Sequence, residues 1–149
     1  MSLAMTPEER ETFLAGLHVG IVSIPESGRG PLTVPIWYGY EPGGEVRFVT
    51  DRDSRKGKLL SKGTRVSLCV QSEKPPYQYV SVEGPIVAIE PADRERDSRP
   101  LARRYLGPVL GDRYVEATAE DRAEGASMVV RVRPERWLCV DYRKQFSVE

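Results

Sequence analysis

The sequence predicts a mainly β protein, an antiparallel barrel or closed sheet of six to seven strands with helices at its edges. Three observations predict it. Short apolar or period-two runs recur from residue 19 to residue 142, separated by turns rich in Gly and Pro. Helix signals of any length are confined to two stretches, so the strands follow one another without the helical crossovers that a parallel sheet needs. The chain has 149 residues, the length of one domain with one packed core.

Each element has a local reason. Thr6-Pro7-Glu8-Glu9 starts a helix: Thr6 can cap it, Pro7 suits the first position and Glu9 can close a capping box. That helix should turn Phe13, Leu14 and Leu17 inward and end near 16–18. Residues 19–24 form a first strand, 25–30 a turn, 32–40 a second strand, and Glu41-Pro42-Gly43-Gly44 a tight hairpin loop. A third strand occupies 45–50. The polar stretch 51–62 is a loop running into a short helix capped by Asp53 or Ser54. A fourth strand, 65–71, carries Val66, Leu68 and Val70 on one face, and a long fifth strand spans 77–89. Residues 91–106 form a second helix, stopped by Gly107-Pro108, and 111–125 a polar helix or loop excursion. Strands at 127–132 and 137–142 finish the sheet.

Composition narrows the function classes. Lys plus Arg equals Asp plus Glu at 22 each, so no basic field points to nucleic acid. No apolar run approaches the roughly 20 residues of a membrane-spanning helix, and the first residues lack the pattern of a signal peptide. Cys69 and Cys139 stand singly in apolar runs, and His18 is the only histidine, so no zinc site is expected. Two buried free thiols suit a reducing cytoplasm. His18, where a helix meets a strand, is expected to be a capping or partly buried histidine.

The chemistry concentrates in residues 48–58, Phe-Val-Thr-Asp-Arg-Asp-Ser-Arg-Lys-Gly-Lys. Thr50 and Ser54 hydroxyls, Arg55, Lys56 and Lys58 surround a strand end and a helix start. Free N–H groups at such a start suit a phosphate, Arg adds a bidentate fork and Lys a point charge. By charge count alone the run is a solvated turn. Its order says more.

Phe48-Val49-Thr50, then Ser54-Arg55-Lys56-Gly57-Lys58, then Thr64-Arg65-Val66-Ser67-Leu68 resembles the pyridoxamine 5'-phosphate oxidase superfamily, the flavin-binding split β-barrels. The similarity continues through Val80-Ser81-Val82-Glu83-Gly84 and covers about residues 14–89. The resemblance implies a split barrel, homodimeric, with the cofactor site at the dimer interface. It implies that Arg55 and Lys56 grip the cofactor phosphate and that Thr50, beside Val49, contacts the phosphate or ribityl chain. It puts 34–39, with Val34, Pro35, Ile36 and Trp37, against the flavin ring. Tyr79 falls where the oxidase has a cofactor-contacting glutamine, and 137–144 helps complete the pocket.

Departures shape what the resemblance implies for activity. Val34 stands where the oxidase has an arginine, and the oxidase's C-terminal Arg-x-x-Asp-Arg type run is missing, so pyridoxamine phosphate oxidation is not expected. The ending and Arg104-Tyr105-Leu106-Gly107 are similar to short actinobacterial relatives, many of which bind a deazaflavin. FMN is the expected cofactor and the deazaflavin coenzyme F-420 the alternative, its lactyl-glutamate tail within reach of Lys58, Arg52 or Arg143. The expected function is hydride transfer between cofactor and a small organic substrate; the alternative is a cofactor-binding carrier or structural module without turnover. Trp37 and Tyr38, adjacent in a strand, should face opposite ways, one inward and one outward.

Overall fold

The computed structural model describes residues 2–123 and 125–146. Seven strands form one antiparallel sheet: β1 (Gly20–Ile24), β2 (Leu32–Ile36), β3 (Val46–Asp51), β4 (Arg65–Gln71), β5 (Gln78–Pro91), β6 (Ser127–Val132) and β7 (Arg136–Asp141). The order is β2-β1-β4-β5-β6-β3, with β7 also on β5. β5 is long enough to serve two partners in succession. Its first half pairs with β4 and β7, and its second half, from Ile86 to Pro91, pairs with β6 beyond an irregularity at Ile86/Ala88. Gly84 sits at that transition, where a Cβ would fall 1.7 Å from the Arg133 carbonyl oxygen. Only glycine lets the backbones approach so closely.

The chain just past edge strand β2 meets the other edge strand, β3, at one point. Gly39 and Arg47 exchange backbone hydrogen bonds of 2.8 and 3.0 Å. Elsewhere β2 and β3 are not paired, so the curled sheet is a barrel left split along one seam.

Alternation fills the barrel. Val46, Phe48 and Thr50 of β3 are buried while their neighbours are half-exposed, and Val66, Leu68 and Val70 do the same on β4. The helix α1 (Pro7–Ala15) contributes Leu14, wholly buried among these side chains. Its N-terminus has the complete Thr6/Glu9 capping box, and the Tyr38 hydroxyl donates to Leu14 O at 2.6 Å.

Several expectations need correction. α1 ends at Ala15, so Leu17 lies beyond it and is 59% exposed. The second strand stops at Ile36, short of residue 40, because β1 offers partners only as far as Gly20. Cys139 is buried, but Cys69 faces outward from β4 and is half-buried. The stretch after β5 makes a π turn, Arg94–Ser98, and then a helix α3 (Arg99–Asp121) that runs through most of the expected excursion. Gly107 breaks it, with φ 83° and ψ 168°, and Pro108 restarts it. The stop signal was sound locally, but Pro is also preorganised for a first helical turn.

Candidate functional site

At the split between β2 and β3 lies a groove of about 570 Å³. Pro35, Ile36 and Trp37 line it from the end of β2; Val49, Thr50 and Asp51 line it from β3. Ser54 and Lys56 come from the turn after β3. The remaining wall belongs largely to α3, through Leu101, Tyr114, Val115 and Thr118, with Arg122 just past its end.

The turn that carries Ser54 and Lys56 is built by local bonds. The Ser54 hydroxyl donates to Asp51 O at 2.8 Å and accepts the Gly57 N–H at 2.9 Å, capping the helix α2 (Arg55–Leu59). Ser54, rather than Asp53, is therefore the cap. Thr50, only 6% exposed, has its hydroxyl 3.4 Å from that of Ser54. A Cβ on Gly57 would lie 2.0 Å from Asp51 O, so the tightness of the turn depends on this glycine. With one turn of helix, α2 has little dipole to offer, and the polar end of the groove rests on side chains.

Lys56 supplies the charge. Half-buried in the groove wall, its ammonium forms no hydrogen bond or ion pair among the described residues. Burial lowers its pKa, and the Asp51 charge partly opposes that shift. Asp51 itself is engaged: it accepts the Ser127 hydroxyl at 3.0 Å and pairs with Arg122 at 3.2 Å.

An aromatic stack fixes the other side. The Trp37 ring lies on Tyr105 with centroids 5.3 Å apart and planes 8° from parallel, and Tyr114 approaches Trp37 at 5.2 Å. The Tyr105 hydroxyl donates to His18 O at 2.5 Å and accepts the Tyr38 N–H at 3.2 Å, so α3 is tied to the start of β1. Tyr38 is buried and Trp37 faces the groove, as expected, but both lie just past the end of β2 and not within a strand. His18 hydrogen bonds to Phe13 O at 2.9 Å and stacks on the Phe13 ring, and burial lowers its pKa. It is a structural histidine.

Of the residues singled out from sequence, the groove brings together Pro35, Ile36, Trp37, Val49, Thr50, Ser54 and Lys56. Four lie outside its lining. Val34 alternates away from Pro35 and packs against the core, and Arg55 turns to Glu26 in an ion pair of 2.8 Å. Lys58 is exposed, and Tyr79 lies on β5 opposite Gln71 and Val140. Arg52 donates to Gly125 O, and Arg143 pairs with the buried Asp141 at 2.9 Å, so neither lines the groove. The sequence reading missed the wall on α3. Its one signal was the helical spacing of Val115, Thr118 and Arg122, visible only once 111–121 is taken as helix.

The groove fits a cofactor with a flat ring and a phosphate. Its volume falls within the roughly 300–1,000 Å³ of small-molecule sites, which combine apolar walls with a few polar groups. The apolar surface of Ile36, Trp37, Val49 and Val115 suits a ring, and Thr50 and Lys56 supply a hydroxyl and an ammonium, the Ser54 hydroxyl being committed to Asp51 O and Gly57 N–H. The profile of the family described as pyridoxamine 5'-phosphate oxidase matches residues 6–141. The chain belongs to that family.

Among solved structures, this family member is similar to a conserved hypothetical protein from Mycobacterium tuberculosis, with TM-score 0.75 and 21% identity over 99% of this chain and 92% of the other. It is similar to an F-420 reductase, with TM-score 0.68 and 21% identity over 86% and 94% of the two chains. An FAD and haem binding protein from Mycobacterium smegmatis follows at TM-score 0.61 and 18% identity, over 91% of this chain and 71% of that one. At these identities the likeness is one of fold. No curated protein matches the sequence.

Proposed function

We propose that the chain binds FMN or a deazaflavin in the groove by its ribityl phosphate, and acts as an oxidoreductase on a small organic substrate. One observation carries the reading: Thr50, Ser54 and Lys56 line one end of a single apolar-walled groove, and the Lys56 ammonium forms no ion pair among the described residues. When bound, the ring system would supply hydride transfer. The chain's own residues bind and orient. Lys56 provides a charge-assisted contact whose strength is raised by partial burial, Thr50 a buried hydroxyl, and Ile36 and Trp37 an apolar wall that excludes water. The names of similar structures, an F-420 reductase and FAD-binding proteins from Mycobacterium smegmatis and Mesorhizobium loti, support the cofactor class.

The same reading includes a homodimer. Ile21, Cys69, Ser81 and Leu138 stand in one row across β1, β4, β5 and β7 on the face turned away from the core. Ile21 is 39% and Leu138 62% exposed, and Ile21 pairs in register with Pro35, which lines the groove. A second copy laid on this apolar row would border the groove and finish its open side. Two free thiols suit a cytoplasmic home, and no described helix is long and apolar enough to cross a membrane.

Titrating purified protein with FMN and with the deazaflavin coenzyme tests the reading. Binding of at least one, followed by reoxidation of the reduced cofactor by an organic acceptor, is expected. Binding of neither overturns it. Light scattering should give twice the mass of one chain, and a monomer that still binds cofactor fully would remove the second copy from the site.

A further inference from the structure

The chain has five lysines, Lys56, Lys58, Lys62, Lys74 and Lys144, and they stand in three settings. Lys58, Lys62 and Lys74 are exposed. Lys144 is held, its ammonium donating to Ala4 O at 2.9 Å and to the Glu9 carboxylate at 2.8 Å. Lys56 is half-buried in the groove wall, and among the described residues its nitrogen has neither a hydrogen bond nor an ion pair. Asp51, which also lines the groove, is committed to Ser127 and Arg122.

A lysine so placed is more than a point charge. Burial favours its neutral form over the ammonium, and the neutral amine carries the lone pair that makes lysine a nucleophile. No bond to the protein has to break before that nitrogen turns toward a ligand. The characteristic target of such an amine is a carbonyl carbon, with which it condenses to an imine.

The walls select among carbonyl compounds. Ile36, Trp37, Val49 and Val115 line the same space and offer apolar and aromatic surface to a flat ring. The groove, at about 570 Å³, has ample room for a molecule of one ring. Thr50 lies at the lysine's end of the groove, and its hydroxyl, 3.4 Å from that of Ser54, retains the capacity to bond a carbonyl oxygen.

We propose that Lys56 is a covalent capture site for aromatic aldehydes, which it holds as an imine in the groove. The Nζ lone pair adds to the aldehyde carbon, and both Nζ hydrogens leave with the carbonyl oxygen as water, so that a C=N bond replaces C=O. No oxidant or reductant is consumed, and water reverses the step. The inference goes beyond the cofactor reading and does not depend on it. An adduct on Lys56 would close this end of the groove to any other ligand.

The test is labelling of the full chain with 2-hydroxybenzaldehyde at neutral pH, trapping by cyanoborohydride and peptide mass spectrometry. Lys56 should carry about tenfold more adduct than Lys58, Lys62 or Lys74, the gain given by partial burial of one ring. That preference should narrow as pH rises toward the ordinary lysine value of about 10.4, where exposed amines become neutral too. Butanal, which has no ring, should mark Lys56 with less preference. In Lys56→Arg, which keeps the charge but forms no imine, the other lysines should label as they do in wild type. Even labelling of all lysines overturns the inference, and equal preference for the two aldehydes overturns the aromatic class. On the cofactor reading, FMN or the deazaflavin coenzyme added first should slow labelling at Lys56 alone. Preferred labelling of Lys56 that neither cofactor slows supports this inference and overturns the placing of the cofactor. Cofactor binding without preferred labelling overturns this inference only.

Discussion

The wall of the groove made by β3 and α2 and the wall made by α3 are held in different ways. In the first, Asp51, Ser54 and Gly57 bond to one another within a few residues of chain, and the geometry follows from a cap and a glycine. In the second, side chains reach across long stretches. Tyr105 bonds to His18, Trp37 stacks on Tyr105, and Arg122 pairs with Asp51. Within α3 itself, Asp112 folds the two halves across Gly107 by binding Arg99 at 2.9 Å and Arg103 at 2.7 Å. A locally determined wall can be rigid before the barrel closes. The α3 wall is placed by several separable long-range contacts. The polar end of the groove should therefore behave as a fixed element and the α3 wall as an adjustable one.

Gly57→Ala should have the largest effect on that contrast. Its new methyl would meet a backbone oxygen, which cannot rotate away, so the turn must open at a loss of about 3 kcal/mol. Denaturant unfolding would measure it, and an unchanged midpoint would mean that the turn is looser than its geometry implies.

Lys56→Met comes next. Loss of the ammonium should weaken binding of FMN or the deazaflavin by roughly ten- to hundredfold, or about 1.5–3 kcal/mol. The free protein should respond in the opposite sense. Burial holds the folded-state pKa of Lys56 below its unfolded value, so the unfolded chain binds the proton more readily and stability rises with pH through that interval. Removing the charge should thus raise the Tm of the free protein at neutral pH. The gain should shrink as pH rises toward the ordinary lysine value of about 10.4. Differential scanning fluorimetry across pH reads both signs.

Gly107→Ala addresses the α3 wall. Its backbone lies where L side chains rarely go, so about 1–2 kcal/mol should be lost. Cofactor affinity should fall as well, through displacement of Tyr114 and Val115, with the α2 turn unaffected. Arg122→Gln should be smallest in stability, below about 1 kcal/mol, because the pair it breaks is partly exposed. Equal effects of Gly57→Ala and Gly107→Ala on binding and on folding would erase the distinction between the walls.

Much of the barrel was legible because its signals are short-ranged. The capping box at Thr6, the alternation in β3 and β4, and the Ser54 turn each involve neighbours in the chain, and each formed as expected. Pairings between charges far apart in the chain were not legible. Arg55 looked as suited to an anion as Lys56, yet Glu26, brought close by the β1–β2 loop, takes it, while Lys56 is left facing the groove. Arg52 likewise bonds to a residue far along the chain, Gly125.

By itself the sequence determined the strands, the turn at 51–57 and the family to which the chain belongs, because alternation, capping and glycine geometry act over a few residues. Only the tertiary structure decided which charges find partners and that α3 resumes after Gly107 to wall the groove. Those outcomes depend on which distant side chains arrive first at a charge or a ring, and spacing along the chain does not encode that competition.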